Sequence, residues 1–338
     1  MTVPLIFRAA HLHLFLDLFR EIGVPVESAL ARSALPGAIE EMPDAYVSLP
    51  LALPWMAQTG RDLTPMELGF LASRAVSLGS LDVRLQGSLG AAVSGYERVV
   101  RALRLAAIED SALAAGVRWD RGRLRLYTSM PRLAGHPHAC IVEWVNLQAM
   151  IAVVQSVAGQ GWAPVEMTFV SRAGVPDAAL GAFDRTRVLV GQRLTSILVE
   201  PAALALAARD DPHSVADGAR GKLPGGETAE VWTFPSALRS AIQPYLAEGP
   251  VGLAQAAEMA RMSPRTLQRR LRHSGTSFAE TVQQARFDLA RGWLSDASLK
   301  VSDVALMAGY ENPQHFSRAF RKFSGLTPSD FRQLTSAS

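Results

Sequence analysis

Residues 263–273 read SPRTLQRRLRH, and residues 312–323 read NPQHFSRAFRKF. Each stretch opens with a side chain able to cap a helix. Proline follows, and it suits the first helical position because no N–H is left unsatisfied there. At 100° per residue, Gln268, Arg269 and Arg272 fall within about 60° of Arg265, and Leu267 and Leu271 fall on the opposite side. In the second stretch Phe316, Ala319, Phe320 and Phe323 share one side, and Gln314, Ser317, Arg318 and Arg321 share the other. The two superpose residue for residue at a fixed offset, Ser263 on Asn312, Leu267 on Phe316, Arg269 on Arg318 and Leu271 on Phe320 (312 − 263 = 49).

Each stretch follows a short alanine-rich amphipathic segment, 253–260 and 301–308. The second segment ends at Gly309, a residue suited to a tight turn. A short helix, a tight turn and a capped second helix make a helix-turn-helix unit, whose second helix enters the major groove. Arginine donates two hydrogen bonds to guanine, and glutamine pairs in bidentate fashion with adenine, each worth about 1–3 kcal/mol of discrimination between bases. An Arg/Gln ridge opposite a leucine or phenylalanine seam fits that task. A single such helix would be explained as well by a solvated bundle face. Two copies with matched caps favour DNA.

Between the copies, residues 278–294 (FAETVQQARFDLARGWL) repeat apolar side chains at Phe278, Val282, Leu289 and Trp293, with Ala285 and Ala290 beside them. A long helix here would fix the separation of the two units. Held about 34 Å apart, their second helices would reach successive major grooves.

The run SPRTLQRRLRHSGTSFAETVQQARFDLARGWL, followed by VSDVALMAGYENPQHFSRAFRKFSGLTPSDFR, resembles the DNA-binding domain of the AraC/XylS family of transcription regulators over residues 233–335. The resemblance implies base-reading positions at Arg265, Gln268 and Arg269 in the first unit, and at Gln314, His315, Ser317 and Arg318 in the second. Arg272 and Arg321 extend the same polar ridges. Pro328 and Arg332 fall in the closing motif, where a structural role is expected. Arg261 stands at the first turn, where the family usually has glycine, and a left-handed residue there costs about 1–2 kcal/mol.

Upstream, apolar spacing predicts helices over 7–22, with Gly23 as a stop, and over 49–59, 65–78 and 89–107, with Thr64 and Pro65 as a cap and first-position pair. Residues 116–129 (GVRWDRGRLRLYTS) alternate apolar and charged side chains about Arg121 and Gly122, a hairpin pattern that points Val117, Trp119, Leu124 and Leu126 to one face. Helix returns over 138–158, and strands are expected over 165–171, 187–190 and 196–200. Helices followed by a small, antiparallel sheet predict an α+β N-terminal domain, joined to an all-α C-terminal domain. By length, by helices preceding sheet, and by the stretch PVEMTF…FDRTRVLVGQRLTSILVEPAAL, this part resembles the effector domain of the AraC-type branch that includes an ornithine-utilisation regulator. That likeness implies binding of a small effector, or dimerisation. Residues 208–226, rich in Asp, Gly and Pro, suggest a linker. The expected division is an effector or dimerisation domain over 1–207, a linker over 208–232 and a DNA-binding domain over 233–338.

Charge agrees with this division. From Thr233 onward 13 Lys and Arg face 8 Asp and Glu, a balance of +5, whereas the preceding 232 residues carry 21 against 23, a balance of −2. A basic C-terminal domain suggests an anionic ligand. With 49% hydrophobic and 19% charged residues, the chain has the composition of a core-bearing protein. The single cysteine, Cys140, excludes an internal disulfide framework, a cysteine zinc cluster and the cysteine-dependent repair methyltransferases that also carry such DNA-binding domains. The N-terminus lacks the marks of a secretion signal, and no apolar stretch is read as reaching the roughly 18 residues that span a bilayer, so a cytoplasmic protein is expected. His136, His138 and Cys140 could hold a soft metal, but packing at a helix start explains them more simply. Trp55, Trp119, Trp144 and Trp162 suit a core, and Arg74, Arg84, Arg98, Arg101, Arg104, Arg123 and Arg125 suit solvated faces; either set could instead line an effector pocket. No phosphate-cradling loop, nucleophile elbow or paired-histidine zinc motif occurs. The expectation is a non-enzymatic regulator without metal or cofactor, an activator or a repressor. Its expected partners are double-stranded DNA, a small effector, a second copy of itself and RNA polymerase.

Overall fold

The computed structural model describes residues 3–205 and 232–336. Two short strands, β1 (Ile6–Arg8) and β2 (Tyr46–Ser48), alternate in sequence with α1 (Ala9–Glu21), α2 (Val26–Ala31) and α3 (Leu49–Thr59). Then come α4 (Pro65–Ser73), α5 (Val83–Gly90) and α6 (Gly95–Glu109), the strands β3 (Ala114–Asp120) and β4 (Arg123–Ser129), and the long helix α7 (Ala139–Ala158). β5 (Glu166–Thr168), α8 (Asp177–Ala182), β6 (Arg187–Leu189), β7 (Thr195–Val199) and α9 (Pro201–Leu204) complete the first part. After residue 231 the described chain is helical: α10 (Phe234–Ile242), α11 (Leu253–Met259), α12 (Pro264–His273), α13 (Phe278–Leu294), α14 (Val301–Met307), α15 (Pro313–Ser324) and α16 (Pro328–Ser336).

The chain divides into two compact units, and the division is not a single cut. One unit takes Ala10–Ser33 and Ala52–Val231; the other combines Met1–Ala9, Ala34–Leu51 and Trp232–Ser338. The expected boundary after residue 207 therefore describes only part of the division, and residues 208–231 of the expected linker lie outside the described residues. The reason is packing. β1 and β2 pair antiparallel, Phe7 opposite Val47, and Ile6 is fully buried in the core of the C-terminal helices beside Leu238, Ile242 and Leu267. The Ser48 hydroxyl donates to the Met259 carbonyl at 2.8 Å, the Tyr245 hydroxyl donates to the Ala34 carbonyl at 2.8 Å, and Trp232 meets Tyr46 edge-on at 4.9 Å. Three-residue strands whose partners lie some forty positions away leave no alternation for sequence reading to detect, and the helix predicted from residue 7 starts at Ala9 instead.

The other unit is an α+β body. Its five strands run in the order β3-β4-β7-β5-β6, antiparallel except for the parallel pair β5–β6. The β3–β4 turn has Arg121 and Gly122 both at positive φ (49° and 83°), the two-residue conformation whose twist matches the flanking strands. The register sets Val117 opposite Leu126 and Trp119 opposite Leu124, as the alternation predicts. Leu124, Leu126, Met167, Ile197 and Val199 bury one face against α7, where Trp144, Ile151 and Val154 are buried. Trp119 shares that face but sits at the hairpin end and stays 66% exposed. On the other face Arg125 is held by Asp120 at 2.6 Å, Glu166 at 2.9 Å and Ser196 at 3.0 Å.

Helix limits follow local chemistry. Thr64 and Glu67 cap each other reciprocally at the start of α4, and Gly23 at φ 81° follows the end of α1. The helix predicted over 65–78 stops at Ser73, and that predicted over 89–107 begins at Gly95, after the Ser94 cap. One sequence expectation needs correcting. α7 carries a single charge, Glu143, and is long and apolar enough to cross a membrane; its most apolar window is 67% buried, as suits the core helix of a folded unit.

Candidate nucleic-acid interface

In the first helix pair, α11 ends at Ala260 and the chain reverses through Arg261, whose φ is 52°. The Arg261 N–H donates to Glu258 at 2.8 Å, and the Met262 N–H donates to Ala257 at 2.9 Å. These bonds satisfy carbonyls that the helix end would otherwise orphan. Ser263 then caps α12 by accepting from the Thr266 N–H at 3.2 Å. The second pair repeats the device. α14 ends at Ala308, Gly309 has φ 77°, its N–H donates to Leu306 at 2.8 Å, and the Tyr310 N–H donates to Ala305 at 2.9 Å. Asn312 caps α15, accepting from the Gln314 N–H at 2.7 Å. The turns match at an offset of 48 (309 − 261) and the capped helices at 49, so the second turn is one residue longer. Arg261 takes the left-handed conformation that the second unit gives to glycine.

The apolar seams face inward. Leu267 and Leu271 are fully buried in the core of α10, α11 and the first half of α13, whereas Phe316 and Phe320 are buried against Ala290 and Leu294 of its second half. Tilted and edge contacts link Phe287, Phe316, Phe320 and Phe331 at 4.9–5.6 Å.

The polar ridges face outward. Arg265, Gln268, Arg269, Arg272, Gln314, His315, Arg318 and Arg321 are all exposed, and their side chains have no hydrogen-bond or ion-pair partner among the described residues. Ser317 is half-buried, its hydroxyl donating to the Pro313 carbonyl at 3.0 Å, so it is less available than its neighbours. Arg270 is spent internally over the Phe234 ring at 5.5 Å.

The helix between the units fastens to both. Asp288 of α13 pairs with Arg239 of α10 at 2.8 Å. Nearer the start of α13, Gln283 accepts from the Tyr310 hydroxyl at 2.7 Å, and Arg286 lies over the Tyr310 ring at 5.3 Å, beside Gly309. Arg332 of the closing motif donates to the Leu294 carbonyl at 3.2 Å, and Pro328 is buried at the first position of α16, so both have structural work. Sequence reading missed Gln283, Arg286 and Tyr310, because each looks like an ordinary helix-surface or turn residue until the fold brings them together.

The other residues considered from sequence fall elsewhere. Cys140 is buried, and burial pushes its thiol up to about 11, which leaves it unreactive near neutral pH. Trp144 is core, donating to the Met66 sulfur at 2.9 Å, and Trp55 donates to the Ala29 carbonyl. Most of the arginines set aside as solvated are engaged: Arg84 with Asp82, Arg101 with Glu97, Arg123 with Glu200 and Arg98 with Ser156, besides Arg125.

Residues 256–334 match the family described as a helix-turn-helix domain, a span that starts within α11 and runs through α12 and the whole second helix pair. An ornithine utilization regulator of Pseudomonas aeruginosa is 37% identical over 81 residues, 24% of either chain. Alignments to the first curated relatives span only between 8% and 27% of those proteins' lengths. The transcriptional regulator VirS of Mycobacterium tuberculosis aligns over 98% of both chains at 24% identity. Among solved structures, the transcriptional regulator CdpR from Pseudomonas aeruginosa covers 83% of this chain and 90% of its own at 21% identity and a TM-score of 0.38.

Proposed function

We propose that this chain, whose residues 256–334 match a helix-turn-helix family, is an AraC-type, sequence-specific transcription regulator that reads DNA with two recognition helices per molecule. The observation that carries the reading is the pair of exposed Arg/Gln ridges. Eight arginine, glutamine and histidine side chains stand on capped helices with no partner among the described residues, above apolar seams that share one connecting helix. Unpaired guanidinium groups on a rigid ridge are what phosphate and base edges require. In this reading Arg265, Gln268, Arg269 and Arg272 act in one groove, and Gln314, His315, Ser317, Arg318 and Arg321 in the next. The full-length alignment to a named transcriptional regulator supports regulation as the task of the whole chain, rather than enzyme chemistry.

The α+β unit is assigned the control function, binding a small effector and joining two copies, which doubles the DNA contacts. The regulator acts in the cytoplasm, with RNA polymerase as a further partner. The test is binding to DNA from its own upstream region. Arg269→Ala and Arg318→Ala should each weaken specific binding by about 1–3 kcal/mol and relax preference at separate base positions. Unaltered affinity in both variants would refute the assignment. A purely dimerising α+β unit would leave DNA binding indifferent to every small molecule while dissociating with the dimer.

A further inference from the structure

Between α6, α7 and the sheet, the α+β unit leaves a narrow apolar slot of about 60 Å³. It exists because small side chains stand where larger ones would close it: Ala102 and Ala106 on α6, Ala149 on α7 and Ala115 on β3. Its volume holds roughly four to six water-sized groups, at the 10–15 Å³ that each needs. Its wall is almost wholly apolar, and a dry slot of that kind takes hydrocarbon in preference to water.

Thr128 and Asn146 line this slot and also a second, polar cavity of about 700 Å³. The Asn146 amide is buried, yet its one side-chain hydrogen bond goes to a weak acceptor, the Met130 sulfur at 3.4 Å. The polar cavity carries the exposed guanidinium groups of Arg172 and Arg193, which have no partner among the described residues. Its buried carboxylate, Glu143, is already engaged, accepting from the Val170 and Ser171 N–H groups at 3.1 and 3.3 Å. The cation excess therefore favours an anionic head, and the slot favours a short apolar tail.

We propose that this paired cavity is the effector site and that it takes a small organic carboxylate, with its hydrocarbon or ring portion in the alanine-lined slot and its carboxylate beside Asn146, facing Arg172 and Arg193. The inference rests on the reading that the α+β unit senses a small molecule. It names the class of that molecule and the side chains that select it.

The experiment uses the full chain and three probes of six carbons each: hexanoate, hexanol and hexylamine. Hexanoate should raise the unfolding midpoint progressively with concentration, and hexylamine should not. Ala149→Leu, which fills the slot, should abolish the hexanoate shift, and Asn146→Leu should weaken hexanoate binding at least tenfold by calorimetry. Should Ala149→Leu fail to fold, Ala106→Leu carries the same test. A hexanoate effect that survives filling of the slot, equal effects of hexanoate and hexylamine, or no effect of any probe would each overturn the proposal. DNA binding without additive is measured alongside. Intact DNA binding with no probe bound sinks this inference alone, whereas absent DNA binding with hexanoate bound sinks the regulator reading alone.

Discussion

Replacing Arg261 by glycine should make this protein more stable, although it deletes the largest side chain in its turn. Arg261 holds a φ of 52°, where a Cβ crowds the following carbonyl at a cost of about 1–2 kcal/mol. The side chain is exposed and has no partner among the described residues, so little is lost with it. Glycine gives back part of the gain, because it frees the unfolded chain by about 0.4–1 kcal/mol. The balance is a stabilisation of about 0.5–1 kcal/mol, or a rise of roughly 2–4 °C in the unfolding midpoint for a unit of this size. The mirror-image change is Gly309→Ala at φ 77° in the second turn. It adds the same strain and brings a new Cβ within 3.3 Å of Arg286, so it should destabilise by about as much. Thermal and urea unfolding of the full chain, with the two variants side by side, reads both. A fall in stability on Arg261→Gly, or a rise on Gly309→Ala, would refute the view that the two turns share one left-handed conformation and differ only in how well the residue suits it.

Other outcomes follow from the same structure. Ile6→Ala should lower the stability of the C-terminal helices by about 2–5 kcal/mol and weaken DNA binding with it, measured by urea titration and anisotropy, because Ile6 is fully buried in their core. Burial pushes the Asp110 carboxyl up to about 7, so the fold favours its protonated form. That contribution is complete below about pH 4 and is lost as pH rises toward 7. Asp110→Asn should therefore stabilise the protein at pH 8, and the gain should vanish toward pH 4 in paired unfolding curves. Gly69 lies where a Cβ would come within 2.8 Å of the Ile141 backbone, so Gly69→Ala should cost about 1–3 kcal/mol by forcing α4 and α7 apart, again read by unfolding.

How far the sequence foretells this structure depends on the range of the interactions concerned. The two helix pairs are legible because caps, prolines and seam residues lie within a dozen positions of one another, and because each copy checks the other. The hairpin at Arg121 and Gly122 is legible for the same reason, since its turn chemistry and alternation are local. The first helix pair's dependence on residues 3–9 and 34–51 is not. Ile6, Ser48 and Tyr245 acquire their meaning only when segments about 200 positions apart are brought together, and three-residue strands carry no period. The slot is invisible too. Ala102, Ala106 and Ala149 read as good helix formers, and only the packed unit shows that they leave space. Arg98 and Arg125 read as solvated charges, yet they are buried with partners supplied by other elements.

The most direct measurement of the central claim is a hydroxyl-radical footprint of the full chain on its own upstream DNA, with Arg269→Ala and Arg318→Ala compared against the unaltered protein. Each bound copy carries two recognition helices and so predicts a pair of protected patches on one face of the duplex, about one helical turn apart. Each variant should erase one patch and spare the other. A single patch, or two patches that fade together in both variants, would contradict the claim that the units read DNA as separate ridges on one connecting helix.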